Sequence, residues 1–146
     1  MINIVSKSVL SNYTSGPQKV VKNLIKGLDS IGYPYIINGD LDSCTRLWIH
    51  DDIDALKELY RLPDNIKVIV GPNLYVRPRH IPQNIDLHRT IYLNNSQWNM
   101  DFWIKYGFDK CPMDYWPAGI DTEKFKPSNN KSRDKVLIYF KQRFPE

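Results

Sequence analysis

Long hydrophobic runs are absent from this sequence. No stretch approaches the roughly 20 apolar residues that a membrane span needs, and the apolar run in the N-terminal MINIVSKSVL is too short for a signal peptide. Cysteine is scarce as well, because Cys44 and Cys111 fit neither a metal-ligand spacing nor a disulfide framework. Both thiols are therefore expected to pack rather than react, and the sequence predicts a cytoplasmic protein.

Blocks of like charge and internal repeats are also lacking. The 20 Lys and Arg residues against 16 Asp and Glu residues give a net charge of +4 that is spread along the chain. Such an excess suits anionic ligands and does not call for a nucleic-acid partner. The 146 residues, 42% of them apolar, suffice for one domain with a substantial core. One complete domain is thus expected, and two are not.

Short apolar runs alternate with segments of helical period. Strands are predicted at INIVS, YPYIIN, RLWIH, IKVIVG, TIYLNN and MDYWPAG. Helices are predicted at QKVVKNLIKGLDSIG, between Pro17 and Gly32, at DDIDALKELYRL, capped by Asp51 or Asp52, and at QWNMDFWIKYG, capped by Ser96. The continuously apolar IKVIVG is typical of parallel sheets covered on both faces. The alternation predicts an α/β, Rossmann-like three-layer domain with a largely parallel sheet.

Parallel sheets bind ligands at the carboxyl ends of their strands, so the residues after each strand are candidate site residues. Gly16 and Pro17 follow the first strand, where a glycine admits a ligand close to the backbone and the next helix offers free N–H groups. His50 follows the third strand and can act as an acid, a base or a donor. Asn73 follows the fourth and offers both a donor and an acceptor. A tight turn, a structural histidine and a plain turn are the alternative interpretations.

Two other motifs are weaker. The first loop has a single glycine, so the dinucleotide fingerprint G-x-G-x-x-G is missing. Asp40 with Asp42, and Asp52 with Asp54, have the D-x-D spacing that can hold a divalent metal against a diphosphate. The first pair is interpreted as a turn and the second as a helix cap, so no metal site is predicted.

Two helical surfaces also have two interpretations each. The first helix has a basic surface formed by Lys19, Lys22 and Lys26. This surface can contact an anionic membrane or simply face solvent, and the solvated face is the favoured interpretation. The third helix has an aromatic surface formed by Trp98, Phe102, Trp103 and Tyr106. These side chains can stack on sugar rings or pack in the core, and we expect them to pack in the core.

The most specific stretch is WPAGIDTEKFKP, from Trp116 to Pro127. With the order of elements and the small-residue loop SGP, it resembles the N-terminal domain of GT-B glycosyltransferases, especially the family-four-like enzymes. In that family a Pro-x-Gly-hydrophobic-Asp-x-x-x-Phe-x-Pro stretch joins the first domain to the second. It is matched here in full by Pro117, Gly119, Ile120, Asp121, Phe125 and Pro127. The resemblance covers nearly the whole chain.

The resemblance implies an acceptor-side domain at residues 1–127, then at residues 128–146 a linker and the first strand of a donor domain. It implies retaining transfer of a sugar from a nucleotide-sugar co-substrate to a glycan or another hydroxyl acceptor, without a metal or other cofactor. The residues lining the cleft would be Gly16, Pro17, His50 and Asn73. Those matching the donor-phosphate contacts are Lys141 and Arg143.

Two departures from the family pattern limit this expectation. Many members have a histidine where this chain has Asn73, which cannot exchange a proton at neutral pH, so no catalytic residue is assigned. The remainder of a donor domain is not in the sequence, so we expect the polypeptide alone to be inactive. The alternatives are a metal-dependent GT-A transferase using Asp40 and Asp42, and a stand-alone glycan-binding or acceptor-binding module. The donor, the acceptor and the oligomeric state are left open.

Overall fold

Strands and helices alternate along the chain, as the sequence predicts. A computed structural model describes residues 1–12, 14–117, 119–120, 122 and 124. The strands and α-helices of these residues are β1 (Ile2–Val5), α1 (Gly16–Ser30), β2 (Tyr35–Ile37), β3 (Arg46–Ile49), α2 (Ile53–Lys57), β4 (Lys67–Val70), β5 (Thr90–Asn94), α3 (Gln97–Lys105) and β6 (Met113–Tyr115). Short 3-10 turns occur at Ser8–Leu10, Leu59–Arg61 and Pro78–His80.

The six strands of the described residues form one parallel sheet in the order β2-β1-β3-β4-β5-β6. The chain moves one way along the sheet from β1 to β2, and the opposite way from β3 to β6. Because parallel crossovers are right-handed, this reversal puts α1 on one face of the sheet and α2 with α3 on the other. The prediction of an α/β, Rossmann-like three-layer domain is confirmed, and the sheet is parallel throughout.

The main core lies between the sheet and the two helices α2 and α3. Trp103 of α3 is completely buried there, with its ring centroid 4.6 Å from that of Tyr92 on β5 and 5.2 Å from that of Phe108. Leu47 and Ile49 point into the same core, whereas Trp48 between them points to the α1 face, as the two-residue period of a strand requires. The core therefore holds the sheet against the helix that follows β5.

Local sequence explains where two of the helices begin and end. Ser15 caps α1, its Oγ accepting the Gln18 N–H at 3.2 Å, and Gly32 follows the helix with a φ of +63°. The second helix is shorter than predicted, because the chain tightens into a 3-10 turn after Lys57 and Leu62 becomes extended. A residue that precedes a proline disfavours the helical conformation, and Pro63 follows Leu62.

The prediction that the aromatic residues of α3 form core is wrong for two of them. Trp98 is 74% exposed and Tyr106 is 64% exposed, whereas Phe102 is half-buried. These three residues succeed one another at a spacing of four, which aligns them along one side of a helix. Trp103 is completely buried in the core, and the half-buried Phe102 also packs against that core. One helix thus has an inner and an outer aromatic face.

Several predictions concern residues that the structure does not describe. The linker and strand at residues 128–146, with Lys141 and Arg143, lie outside the described residues, as do Asp121, Phe125 and Pro127 of the junction. Among the helices that are described, none is both long and apolar enough to cross a bilayer. Both cysteines are free, Cys44 being buried and Cys111 partly buried.

Candidate functional site

The carboxyl ends of β1, β3, β4 and β5 meet at one edge of the sheet. His50 directly follows β3, and its backbone N–H donates to the carbonyl of Val5 at the end of β1, at 2.9 Å. Gly71 directly follows β4, and its N–H donates to the carbonyl of Ile49 at 2.9 Å. The loops after these strands therefore start side by side, at the edge where parallel sheets bind ligands.

Two of the predicted site residues bond to each other across these loops. Asn73 Nδ2 lies 2.9 Å from His50 Nε2, and the Asn73 backbone N–H also donates to the His50 carbonyl at 3.3 Å. His50 is 1% exposed, while Asn73 is half-buried and borders a cavity. The structure thus combines a buried imidazole with a ligand-accessible amide.

The imidazole of His50 is held in its neutral form. Burial lowers its pKa below the ordinary value, while the neighbouring Asp51 carboxylate and the nearby backbone of Pro17 and Gly71 oppose this shift. With a neutral ring, Asn73 Nδ2 donates to an unprotonated Nε2, and the ring proton is carried by Nδ1. Nδ1 is buried and has no hydrogen-bond partner of good geometry among the described residues. His50 is thus linked to the cavity through Asn73, because it is itself 1% exposed.

An uncharged cavity opens beside this pair and is called the strand-end cavity below. Its volume is about 520 Å³, and the residues that line it are Pro17, Pro72, Asn73, Leu74, Tyr75, Val76, Asn95, Ser96, Trp98 and Asn99. Three asparagine side chains thus border one space, and the Asn99 amide also donates to Asn94 Oδ1 at 2.7 Å. Amides and hydroxyls in an otherwise apolar wall suit a neutral, hydroxyl-rich ligand.

The sequence interpretation missed three of these residues as site residues. Asn95, Ser96 and Asn99 belong to the turn after β5 and the first turn of α3, where Ser96 Oγ accepts the Asn99 N–H at 3.2 Å. The sequence could have indicated them, because TIYLNN is a predicted strand. The rule that selected His50 and Asn73 applies equally to the residues at its carboxyl end. Only the role of Ser96 as an N-cap was predicted, and the structure confirms it.

The role predicted for the N-terminus of α1 needs correction. Pro17 has no N–H group, the Gln18 N–H donates to Ser15 Oγ, and the Lys19 N–H donates to the Ser15 carbonyl. At most the amide of Gly16 is left for a ligand, so the helix start does not present several free N–H groups. A Cβ added to Gly16 would meet nothing within 4 Å, and Gly16 does not line the strand-end cavity. Pro17 is the residue of the first loop that lines the strand-end cavity.

Gly71 is the glycine that the site needs. Its φ is +91°, and a Cβ added there would lie 2.5 Å from the Leu93 carbonyl oxygen of β5. Its own carbonyl accepts the Trp48 indole N–H at 2.8 Å, and its peptide bond to Pro72 is cis. The loop that carries Asn73 therefore leaves the sheet along a path that only glycine permits.

Asp40 lies in a turn, where its carbonyl accepts the Ser43 N–H at 3.0 Å, and the second acidic pair lies at the start of α2. Asp52 Oδ1 accepts the N–H groups of Asp54 and Ala55, which confirms Asp52 as a helix cap. Hydrogen bonds from Lys7 and then from Lys57 lower the pKa of Asp54 to about 2. Asp52 and Asp54 border a second cavity of about 520 Å³ beside α2. In the described part of the chain, no three His, Cys, Asp or Glu side chains gather as a metal site.

The junction stretch that prompted the family resemblance is bound to the sheet and to α1. The Trp116 N–H donates to the Asn94 carbonyl at 2.7 Å, and the Trp116 ring packs edge-on against Trp48, with centroids 4.8 Å apart. Asn23 of α1 donates from Nδ2 to the Gly119 carbonyl at 2.8 Å. The chain after β6 therefore turns back across the α1 face of the sheet.

The described residues form the strand-end cavity, whose lining is uncharged, and hold the Asn73 amide beside it. No nucleophile is assigned among them. Comparisons of the chain with protein-family models, with curated proteins and with solved structures find no match. The chemistry of the cavity itself therefore indicates what the site can bind.

Proposed function

We propose that this chain is the acceptor-side domain of a GT-B-type glycosyltransferase, and that the strand-end cavity holds the acceptor. The observation that best supports this is the convergence of Pro17, His50 and Asn73 at the carboxyl edge of a parallel sheet. These residues come from three loops of the sequence; Pro17 matches the small-residue loop of the family, and His50 and Asn73 are predicted by the rule for carboxyl ends of parallel strands. The junction stretch adds support through its resemblance to the point where the first GT-B domain joins the second.

The chemistry of the cavity suits an acceptor better than a donor. A nucleotide-sugar has a diphosphate that needs positive charge, whereas the described residues that line the strand-end cavity are uncharged. An acceptor sugar needs hydroxyl groups to be held in a fixed orientation, which asparagine amides provide. Because Nδ2 of Asn73 is engaged by His50, its Oδ1 is the atom that accepts a hydrogen bond from an acceptor hydroxyl. In this proposal Lys141 and Arg143 contact the donor diphosphate.

Glycosyl transfer by the complete product of the gene tests this proposal. A panel of radiolabelled nucleotide-sugars is offered with mixed oligosaccharide acceptors to the parent protein and to the variants Asn73→Ala and His50→Gln. Asn65→Ala is the matched control, because Asn65 is exposed in the loop before β4, at the opposite edge of the sheet. We expect Asn73→Ala to lower kcat/KM at least about fivefold, since one neutral hydrogen bond contributes about 1 kcal/mol.

Three results would contradict the proposal in different ways. Near-normal turnover in both site variants would remove His50 and Asn73 from the acceptor site. Manganese-dependent donor binding by the 146-residue chain would favour a metal-dependent GT-A transferase at Asp40 and Asp42. Saturable glycan binding without any transfer by the complete gene product would favour a stand-alone binding module.

A further inference from the structure

A smaller cavity, called the narrow cavity below, lies between α3 and the connection from β4 to β5. Its volume is about 260 Å³, and the residues that line it are Arg77, Pro78, Arg79, Phe102 and Tyr106. Val76 lines the strand-end cavity and directly precedes Arg77. Trp98 lines the strand-end cavity as well, and its ring stacks on that of Phe102, with centroids 5.9 Å apart. The two cavities therefore adjoin, with Asn73 in the wider one.

The aromatic residues on the outer side of α3 form one apolar wall along both cavities. Trp98 packs on Phe102, and Phe102 packs on Tyr106 with centroids 4.4 Å apart. Because the rings lie against one another, they form a single strip about 12 Å long rather than separate platforms for sugar rings. Trp98 and Tyr106 are 74% and 64% exposed, and Val76 on the facing connection is 73% exposed. Core packing does not account for these side chains, and an exposed apolar patch of this kind marks a binding surface.

The lining of the narrow cavity is mainly apolar. Pro78, Phe102 and Tyr106 supply rings to it. Arg77 and Arg79 both have interactions of their own within the protein. Arginine packs its methylene stem along apolar surface while its charged end stays with polar partners or water. The narrow cavity therefore suits an apolar group, whereas the asparagine amides of the strand-end cavity suit hydroxyls.

We propose that the two cavities together bind one amphiphilic acceptor, with its hydroxyl-bearing head at Asn73 and an apolar chain in the narrow cavity. The chain lies along the strip formed by Trp98, Phe102 and Tyr106. This inference rests on the proposed function and specifies its acceptor class, a hydroxyl compound or glycoside that carries an apolar substituent. The apolar residues line concave space, which favours the chain of a single molecule over the surface of a membrane.

An NMR titration of the isotope-labelled 146-residue chain tests the proposal without a donor. The ligands are methyl, butyl, hexyl and octyl glycosides of glucose and of galactose, each kept below the concentration at which it forms micelles. We expect the affinity to rise about twofold to fourfold with each added methylene, since full burial of one methylene contributes about 0.8 kcal/mol. The rise should level off once the alkyl chain is longer than the cavity.

The shifted signals locate the ligand. The indole N–H of Trp98 and the side-chain amide of Asn73 should respond together to the octyl glycosides. A second apolar cavity, between α1 and the sheet, serves as the internal comparison, because Leu24 and Trp48 line it. Shifts centred on Leu24 and Trp48 would place the chain on the other face of the sheet and contradict the proposal.

Variants assign the dependence on chain length to the apolar wall. Trp98→Ser combined with Tyr106→Ser should abolish this dependence, because both changes remove apolar surface from the wall. The matched control combines Tyr60→Ser with Ile104→Ser, since both residues are exposed and neither lines the two cavities. Asn73→Ala should weaken the octyl glycosides about fivefold without changing the gain per methylene, since one neutral hydrogen bond contributes about 1 kcal/mol.

The outcomes separate this inference from the proposed function. Affinity that is independent of chain length, or equal loss in the wall variant and its control, would overturn the amphiphile proposal. So would shifts that appear only with micelles or lipid vesicles, because they would indicate a membrane surface. Transfer that depends on Asn73 but not on an apolar substituent would uphold the proposed function and refute this inference. Chain-length dependence that requires Trp98 and Tyr106, with no transfer by the complete gene product, would uphold amphiphile binding and refute the proposed function.

Discussion

Asn73 Nδ2 lies 2.9 Å from His50 Nε2, joining the loop after β4 to the residue after β3. The histidine is buried and neutral, whereas the asparagine borders the strand-end cavity. A neutral imidazole that accepts from the amide fixes which end of the amide faces a ligand. The pair therefore presents an oriented acceptor atom, Asn73 Oδ1, to the cavity.

Replacing His50 with Gln should flatten the decline of stability in mild acid. Because burial lowers the pKa of His50, the unfolded chain binds a proton at this ring at a higher pH than the folded chain does. The stability that the neutral ring contributes is complete above the unfolded pKa of about 6.5, and it is lost as the pH falls towards the lower folded pKa. The free energy of unfolding in urea, measured from about pH 7.5 to about pH 5, gives the slope.

The control for this slope is His80→Gln, since His80 is exposed in the connection between β4 and β5. One proton contributes at most about 1.4 kcal/mol per pH unit to the slope, so the difference is measurable. An unchanged slope in His50→Gln would show that the imidazole is not its source.

Replacing Trp103 with Ala should destabilise the fold strongly, whereas replacing Trp98 with Ala should not. Trp103 is completely buried against Tyr92 and Phe108, so its loss should lower the free energy of unfolding by about 3–5 kcal/mol. Trp98 is 74% exposed, so its loss should change the free energy of unfolding by no more than about 0.5 kcal/mol. Urea unfolding of both variants checks the pair. A large loss of stability in Trp98→Ala would mean that the outer aromatic face is structural.

Replacing Gly71 with Ala should destabilise the fold and disturb the site together. The φ of +91° is strained for alanine by about 1–3 kcal/mol, and the new Cβ would lie 2.5 Å from the Leu93 carbonyl oxygen. Because that oxygen belongs to β5, the contact can be relieved only by moving a strand or the loop that carries Asn73. Thermal unfolding and the NMR shifts of Asn73 measure the two effects.

Gly27→Ala is the matched glycine control for that change. Gly27 lies inside α1, and a Cβ added there would meet nothing within 4 Å. Alanine forms helix better than glycine, so this variant should be more stable by about 0.5–1 kcal/mol. Similar destabilisation at Gly71 and Gly27 would refute the role assigned to Gly71.

Manganese or EDTA should leave the thermal midpoint of the chain unchanged. Asp52 accepts backbone N–H groups and Asp54 pairs with Lys7 and Lys57, so a metal would have to displace existing partners of both carboxylates. Differential scanning calorimetry at about neutral pH, with calcium as the control ion, measures the shift. A specific rise in the midpoint with manganese would point to an acidic site that the carboxylates form only with the metal bound.

Local pattern was sufficient to predict the elements and several of their ends. Alternation of apolar runs with helical segments predicted the α/β class. The caps at Asp51 or Asp52 and at Ser96 were predictable because a cap acts within three residues of its own position, and the structure selects Asp52 of the first two. The rule for carboxyl ends of parallel strands selected His50 and Asn73 without any knowledge of strand order. Pattern also placed α2 correctly but made it too long, because the chain tightens into a 3-10 turn after Lys57, before Pro63 takes effect at Leu62.

Tertiary structure alone decided what these residues do. The order β2-β1-β3-β4-β5-β6 makes β3 and β4 neighbours, and only that adjacency brings Asn73 within hydrogen-bond distance of His50. Likewise, helical period groups Trp98 with Phe102 and Tyr106, but nothing in the pattern says which side of α3 the sheet will cover. Hydrogen bonds within α1 depend on neighbours in sequence, whereas strand order and buried faces depend on contacts between distant segments. The sequence therefore predicted part of the site, and the packing of the sheet determined which residues line the strand-end cavity.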